Sequence, residues 1–383
     1  MADLADAVVV GGGILGASIA CELARRAHRV VLLEERRIGS GLTSGGFGWI
    51  NASSEFTDEK YHRLRAHAVA HYDTIAERGA DRVGIAEGGS LHWVDSTDLE
   101  AVDRLTHRAA TLAQFGCPAV VLNAAEMQLL EPGVRFPSEA VGLFCPSDRC
   151  IHPARLLRHL VEQGRRFDLE LREDCPATGF THHGGAISTV ETPRGRISTR
   201  LLVLAAGPAT SSLVAHAAGP EAAQLVSTHA APGLLVYTPL HESAIGRVLF
   251  PPESDGLHLR PGPGAGVLIG ADDMDRLIAA QSLANLGSLA EQLHRRASLF
   301  VKSLLSSDVR LEPRVCARVM PFDERPIVGA IPSVRGLYVA VTHSGVTLGP
   351  LLANLLGQQI ATGKPPELLE GYGPRPDPKA LAL

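Results

Sequence analysis

Aromatic residues are scarce in this chain, with Phe, Trp and Tyr making up 4% of 383 residues. Proteins that bind single-stranded nucleic acid stack bases on aromatic platforms, and little here could build one. A basic face is lacking as well: 36 Lys and Arg stand against 41 Asp and Glu, for a formal net charge of −5. Nucleic-acid recognition would need a clustered positive surface, so that class is excluded. The six cysteines (Cys21, Cys117, Cys145, Cys150, Cys175 and Cys316) contain no Cys-x-x-Cys pair. They offer no zinc framework and fit a reducing compartment. The apolar stretch from Val8 to Ala24 comes nearest to a leader or a membrane span. However, Asp3 and Asp6 stand where a leader's positive region belongs, no convincing small-residue cleavage site follows, and Glu22 and the glycines interrupt it. A cytoplasmic protein of ordinary globular composition is expected, long enough for two domains, with a small molecule as its partner.

Ala7–Val10 is a short β-branched run, broken at once by Gly11-Gly12-Gly13. Ile14 to Arg26 then carries helical periodicity, with Ile14, Ile19 and Leu23 separated by small residues. His28 and Arg29 end that helix, and Val30–Leu33 reads as a second buried strand. A strand–helix–strand unit of this kind implies a parallel sheet with helices on its faces. Pro153–Gln163 reads as a helix opened by proline. Leu169–Leu171 and Ala186–Val190 read as strands, with His182-His183-Gly184-Gly185 as a turn before the latter. Leu201–Ala205 and Gly336–Val341 are further buried strands, and Val346–Thr362 is an amphipathic helix. Glu55–Phe115 is polar and helical in pattern, Leu234–Gly270 has short strands broken by Pro and Gly, and Pro365–Leu383 reads as a frayed tail. The simplest arrangement is an α/β domain built from 1–78, 146–218 and 320–383, with a second domain inserted as 79–145 and 219–319.

Gly11-x-Gly13-x-x-Gly16 lies directly between a strand and a helix. The first glycine permits a tight turn, the second lets the backbone approach a pyrophosphate, and the third lets helix and strand pack closely. The phosphates belong at the helix N-terminus, where N–H groups and the macrodipole favour negative charge. Glu34 closes the second strand near the spacing of about 20 residues expected for an acid that accepts from a ribose hydroxyl. Three further segments bear on which dinucleotide this is: Gly39-Ser40-Gly41-Leu42-Thr43-Ser44-Gly45-Gly46, Ala205-Ala206-Gly207, and Thr342-His343-Ser344-Gly345. A cofactor touched from all three thirds of the chain is long and enclosed, which suits FAD better than an exchanging nicotinamide.

Together these segments resemble the D-amino-acid oxidase-like FAD-dependent oxidoreductases, the group of glycine oxidase, sarcosine oxidase and D-amino-acid dehydrogenase. The resemblance covers nearly the whole chain. It rests on Val8–Glu34, Gly39–Asn51, Ile151–Leu156, Leu201–Gly207 and, most specifically, Arg318–Leu351. It implies a Rossmann-like FAD-binding domain with an inserted α+β substrate domain containing a mostly antiparallel sheet. It implies a cofactor-binding set of Gly11, Gly13, Ile14, Leu15, Gly16, Glu34, Glu35, Arg36, Thr43, Ser44, Gly45, Gly46, Trp49, Pro176, Ala206, Gly207, His343, Ser344, Gly345, Val346 and Thr347. It also implies oxidation of a C–N bond beside a carboxylate, with hydride passing to flavin N5 and the electrons going on to oxygen or a quinone-linked acceptor.

By the same resemblance Arg318 holds the substrate carboxylate, a role suited to a planar guanidinium that grips with two parallel hydrogen bonds. The other role open to it is a structural pair with Asp323 or Glu324. His343 either donates to the flavin ring or packs beside it, Trp49 runs beneath the ring or fills core, and His258 is a pocket residue or a satisfied strand histidine. Cys316 lies near where sarcosine oxidase carries a flavin-bonded cysteine, but Cys-Ala-Arg-Val departs from that enzyme's motif, so an unmodified thiol is expected. His67 and His71 lack a third metal ligand, and Ser44, Ser211 and Ser344 lack a Gly-x-Ser-x-Gly setting. Two competing readings remain. One is oxidation of a C–O bond in a 2-hydroxy acid or sugar-like alcohol, with His258 taking the proton. The other is an accessory FAD-binding member of a larger complex.

Overall fold

Ala7–Val10 and Val30–Leu33 are buried at every position and pair in parallel, as their β-branched and leucine side chains dictate. The computed structural model describes residues 3–43, 45–77, 83–252, 256–280, 285–305 and 309–378. They divide into two units, one of Met1–Gly46, Pro153–Ala231 and Ala317–Leu383, the other of Phe47–His152 and Pro232–Cys316. Residues 47–77 and 146–152 therefore group with the second unit, where Trp49–Ile50 pairs with Arg149–Ile151.

The first unit is built on a six-stranded sheet. Its order is Leu169–Arg172, Val30–Leu33, Ala7–Val10, Leu201–Leu204, Leu337–Val341 and Ile327–Ala330. The first five strands run parallel and the last antiparallel. One face packs on a small sheet formed by Asp3–Leu4, Gly195–Ser198, Ala186–Thr192 and Gly179–His183, where Ile187, Val190 and Ile197 meet Val8, Val31, Leu33 and Leu202. The helix Ile14–Arg25 packs along both Pro153–Arg165 and Gly345–Thr362. This is the doubly wound dinucleotide fold, which puts the binding crevice at the carboxyl ends of the parallel strands.

The second unit carries most of an eight-stranded sheet in which, from Thr228–Thr238 across to Val120–Asn123, every pairing but one is antiparallel. The exception joins Val248–Phe250 to Ser90–Asp95 in parallel. Leu91, Trp93, Leu249, Leu259 and Ile269 point to one face and form a core with Leu289, Ala290, Leu293 and Ala297 of the helix Leu286–Phe300.

Two stretches differ from expectation. Glu55–Phe115 is not helical throughout: the strand Ser90–Asp95 lies between the helices Glu59–Ala76 and Leu99–Gln114. Its first four residues, Ser-Leu-His-Trp, alternate with period two, and so short an alternation is easily lost between long polar helices. Pro365–Leu383 is not a frayed tail within the described residues. Leu369 and Tyr372 are buried, the Val328 amide donates to the Tyr372 carbonyl, and Arg375 grips Asp323 through two nitrogens at 2.8–3.1 Å. His182 and His183 also sit in a strand, the turn being left to Gly184 and Gly185 with their positive φ. No helix among the described residues is long and apolar enough to cross a membrane.

Candidate functional site

In the first unit, the turn after Ala7–Val10 depends on Gly11 and Gly16, where a side chain would strike backbone. Gly11 has φ +113, and a Cβ there would meet the Ala205 carbonyl oxygen. A Cβ on Gly16 would run into the Gly11 carbonyl oxygen, so strand and helix touch backbone to backbone. A Cβ on Gly13 would meet only Thr43 Oγ1, at 3.4 Å, which leaves its backbone approachable. The Ile14 amide donates to Thr43 Oγ1 at 2.9 Å. No acidic side chain occupies the helix's first turn, so its positive end is not neutralised from within. The Glu34 carboxylate accepts the Gly12 amide at 2.7 Å and the Arg36 amide at 2.9 Å. A carboxylate offers about four lone-pair sites, so capacity for hydroxyl donors remains.

A second helix end comes to the same place. A Cβ on Gly345, the first residue of Gly345–Thr362, would lie 3.2 Å from Ile14 Cγ2, and one on Gly349 would lie 3.8 Å from Leu15 Cα. The two helices start side by side, and the second also lacks acid in its first turn. Two positive ends beside a glycine turn and a ribose-type acid fit a dinucleotide with a pyrophosphate at its centre.

The expected cofactor residues distribute as follows. Gly11, Gly13, Ile14, Leu15, Gly16, Glu34 and Thr43 gather at this turn, and Gly345 joins them through Ile14. Glu35 and Arg36 follow on with exposed side chains. The Arg36 carbonyl accepts the Asp174 amide and the Glu34 carbonyl accepts the Cys175 amide, which brings Pro176 alongside. Ala206 and Gly207 end the strand Leu201–Leu204, with Gly207 (φ +56) facing Leu42. The Gly46 amide donates to the Thr43 carbonyl, and Gly45 lies between. His343 is exposed, Ser344 and Val346 are half-buried, Thr347 is buried, and Ser44 lies outside the described residues. Trp49 belongs to the second unit.

Arg318 is half-buried on the strand Glu312–Pro321, and Cys316 is two residues before it on the same face. The fork of Arg375 holds both oxygens of Asp323, which weakens Asp323 as a structural partner for Arg318. In the second unit His258 Nδ1 lies 2.8 Å from the Gly256 carbonyl. A carbonyl can only accept, so Nδ1 donates and carries a proton. Phe47 meets the His258 ring edge-on at 4.7 Å.

Several residues of that unit escape motif reading. His92 stacks on Phe250 with centroids 3.9 Å apart, and Trp49 packs 4.8 Å from Phe250. Arg108 reaches His92 Nδ1 at 3.2 Å and donates to the Ser53 carbonyl at 2.9 Å. Burial, then the Arg108 charge, push His92 well below the usual histidine range, so it is neutral. Fully buried Asp148 accepts from the hydroxyls of Ser53 and Ser90, and burial raises it above the usual carboxylate range against those bonds and the charges of Arg108 and Arg65. Arg260, 4% exposed, donates to the Phe47 and Pro261 carbonyls.

A model of FAD dependent oxidoreductases matches residues 6–359, most of the chain. The chain belongs to the FAD dependent oxidoreductase family. As a member it is an FAD-dependent oxidoreductase. Glycine oxidase of Geobacillus kaustophilus is 26% identical over 376 residues, 93% of this chain and 92% of that protein. The crystal structure of glycine oxidase from that organism matches with a TM-score of 0.83 at 24% identity, over 97% of this chain and 98% of that one. L-proline dehydrogenase from P. horikoshii matches with a TM-score of 0.84 at 20% identity, over 98% of both chains. One of the subunits of opine oxidase from Agrobacterium tumefaciens is 23% identical over 389 residues, 97% of each.

Proposed function

We propose that this family member oxidises the C–N bond of a small amino acid or N-alkyl amino acid. The observation that carries the reading is the match to glycine oxidase along 93% of the chain. The chemistry FAD supplies when bound is acceptance of the substrate's α-hydrogen as hydride. The amine N–H proton leaves to solvent, and water then hydrolyses the resulting imine to a carbonyl product and free amine. Oxygen or a quinone-linked acceptor takes the electron pair.

Gly11, Gly13, Gly16, Glu34 and Thr43 would hold the dinucleotide. The helix starting at Gly345 would stabilise negative charge on the reduced ring through its N–H groups and dipole. Arg318 would fix the substrate carboxylate and so aim the α-hydrogen. Replacing it tests that role: Arg318→Met should raise KM for the amino-acid substrate about tenfold to a hundredfold, with FAD content unchanged. An unchanged KM would remove Arg318 from the site.

A second reading is favoured by the end-to-end match to a protein named as one part of a multi-subunit oxidase. In that reading the chain carries FAD but turns over only within a larger assembly. Turnover by the purified chain alone would rule it out.

A further inference from the structure

The eight-stranded sheet of the second unit ends at Val120–Asn123, which pairs with Ala140–Cys145 on one side only. The Asn123 amide donates to Glu126 Oε2 at 2.8 Å, so it turns away from the ladder. Alternate residues of an antiparallel strand point their N–H and C=O groups the same way, which aims those of Val121 outward too. The side chains of Val120 and Val121 lie on opposite faces of the strand and are 47% and 48% exposed. Val121 stands opposite Leu143, on the face covered by Leu105, Ala109 and Leu112, and Val120 stands opposite Phe144 on the other face. Both covering layers therefore stop short of the sheet's last strand.

Exposed edges invite pairing, and proteins ordinarily guard them with charge, lysine above all. Here no Asp, Glu, Lys or Arg occurs from Ala109 to Ala125, in a chain where 20% of residues are charged. That neutrality bears on which strand covers the edge. Across a two-fold axis each residue near the axis meets its own copy, so a charge there would face an identical one. A foreign acidic or basic strand, by contrast, would find no counter-charge to select it. The edge is also complementary to itself in hydrogen bonding, because two antiparallel copies of Val121 can exchange both N–H···O bonds. The helices Leu99–Gln114 and Ala124–Leu130 pack against the strand, and each would run beside its own copy and widen the contact.

We propose that two copies of this chain join edge to edge through Val120–Asn123, with Val121 at the two-fold axis. The pairing uses residues of the second unit alone and does not depend on which substrate is oxidised. Sedimentation of the FAD-loaded protein at micromolar concentration should give twice the mass of the chain. Val121→Lys puts two like charges face to face and should raise the dimer Kd about tenfold or more. Val121→Thr, neutral and of the same shape, should remain dimeric. In the unaltered protein, amide exchange over residues 119–123, followed by mass spectrometry, should be slower in the dimer than in the monomer, which tests the edge even if the lysine variant fails to fold. A wild-type chain that sediments singly, a folded Val121→Lys variant as dimeric as wild type, or equal exchange at 119–123 in dimer and monomer would overturn the proposal.

Discussion

The Glu34 carboxylate accepts the amide of Gly12 at 2.7 Å, so the end of one strand is tied to the glycine turn that follows its neighbour. The other oxygen accepts the Arg36 amide, which fixes the carboxylate from two sides. An amide cannot accept through both heads, so Glu34→Gln must leave one of these N–H groups facing another donor. The predicted result is FAD binding weakened about tenfold, read by titrating apoprotein with FAD. Wild-type affinity would show that the carboxylate plays no part in the cradle.

Gly16→Ala is a harsher change, because the methyl has only the Gly11 carbonyl oxygen to move against. Backbone cannot swing aside as a side chain can, and overpacking costs of this kind run about 1–3 kcal/mol or more. The variant should purify with little flavin, measured as the ratio of visible to protein absorbance, and with a lowered melting temperature. Gly41→Ala, where a Cβ meets nothing within 4 Å, is the matched control and should keep its flavin.

The depressed His92 imidazole predicts a pH dependence of stability. Once pH falls below 6.5, the ordinary histidine value, the unfolded chain takes up a proton at His92, whereas the folded chain does not until lower pH. The unfolded state then binds more protons, so folded stability declines as the solution is acidified through that window. Melting temperatures measured between about pH 7 and pH 5 should fall less steeply for His92→Gln than for wild type. Equal slopes would mean His92 titrates alike in both states.

Arg375 and Asp323 set the fate of the C-terminal segment. Their side chains are 21% and 32% exposed, and the fork is supported by Arg375 donating to the Pro326 and Gly373 carbonyls. Charged hydrogen bonds of this sort contribute about 1.5–3 kcal/mol before solvent screening, which at this exposure brings the figure toward the lower end. Arg375→Ala should lower the melting temperature by several degrees and speed proteolysis after residue 365. If neither changes, the segment is held by Leu369 and Tyr372 alone.

What can be read from the residues is local. Gly11, Gly13, Gly16 and Glu34 announce their roles because a tight turn, a close backbone approach and a strand end are defined within one strand–helix–strand unit. Thr43 is visible only as part of a small-residue run, since its bond to the Ile14 amide depends on how the loop folds back. The pairing of His92 with Phe250 is not legible at all. Their stacking follows from strand register between distant segments, and register is set by which faces the whole sheet buries. The tail misleads for a related reason: Pro and Gly suggest fraying, while Tyr372 and Arg375 are fixed by residues far back in the chain.

Anaerobic reduction of the bound flavin is the most direct test of amine oxidation. The purified protein is mixed without oxygen with D-, L- and N-alkyl amino acids, aromatic and aliphatic, and with 2-hydroxy acids, while the visible spectrum is followed. The account predicts that an amino acid or N-alkyl amino acid bleaches the flavin and that 2-hydroxy acids do not. Bleaching by a hydroxy acid alone would contradict it and assign the C–O bond as the one oxidised.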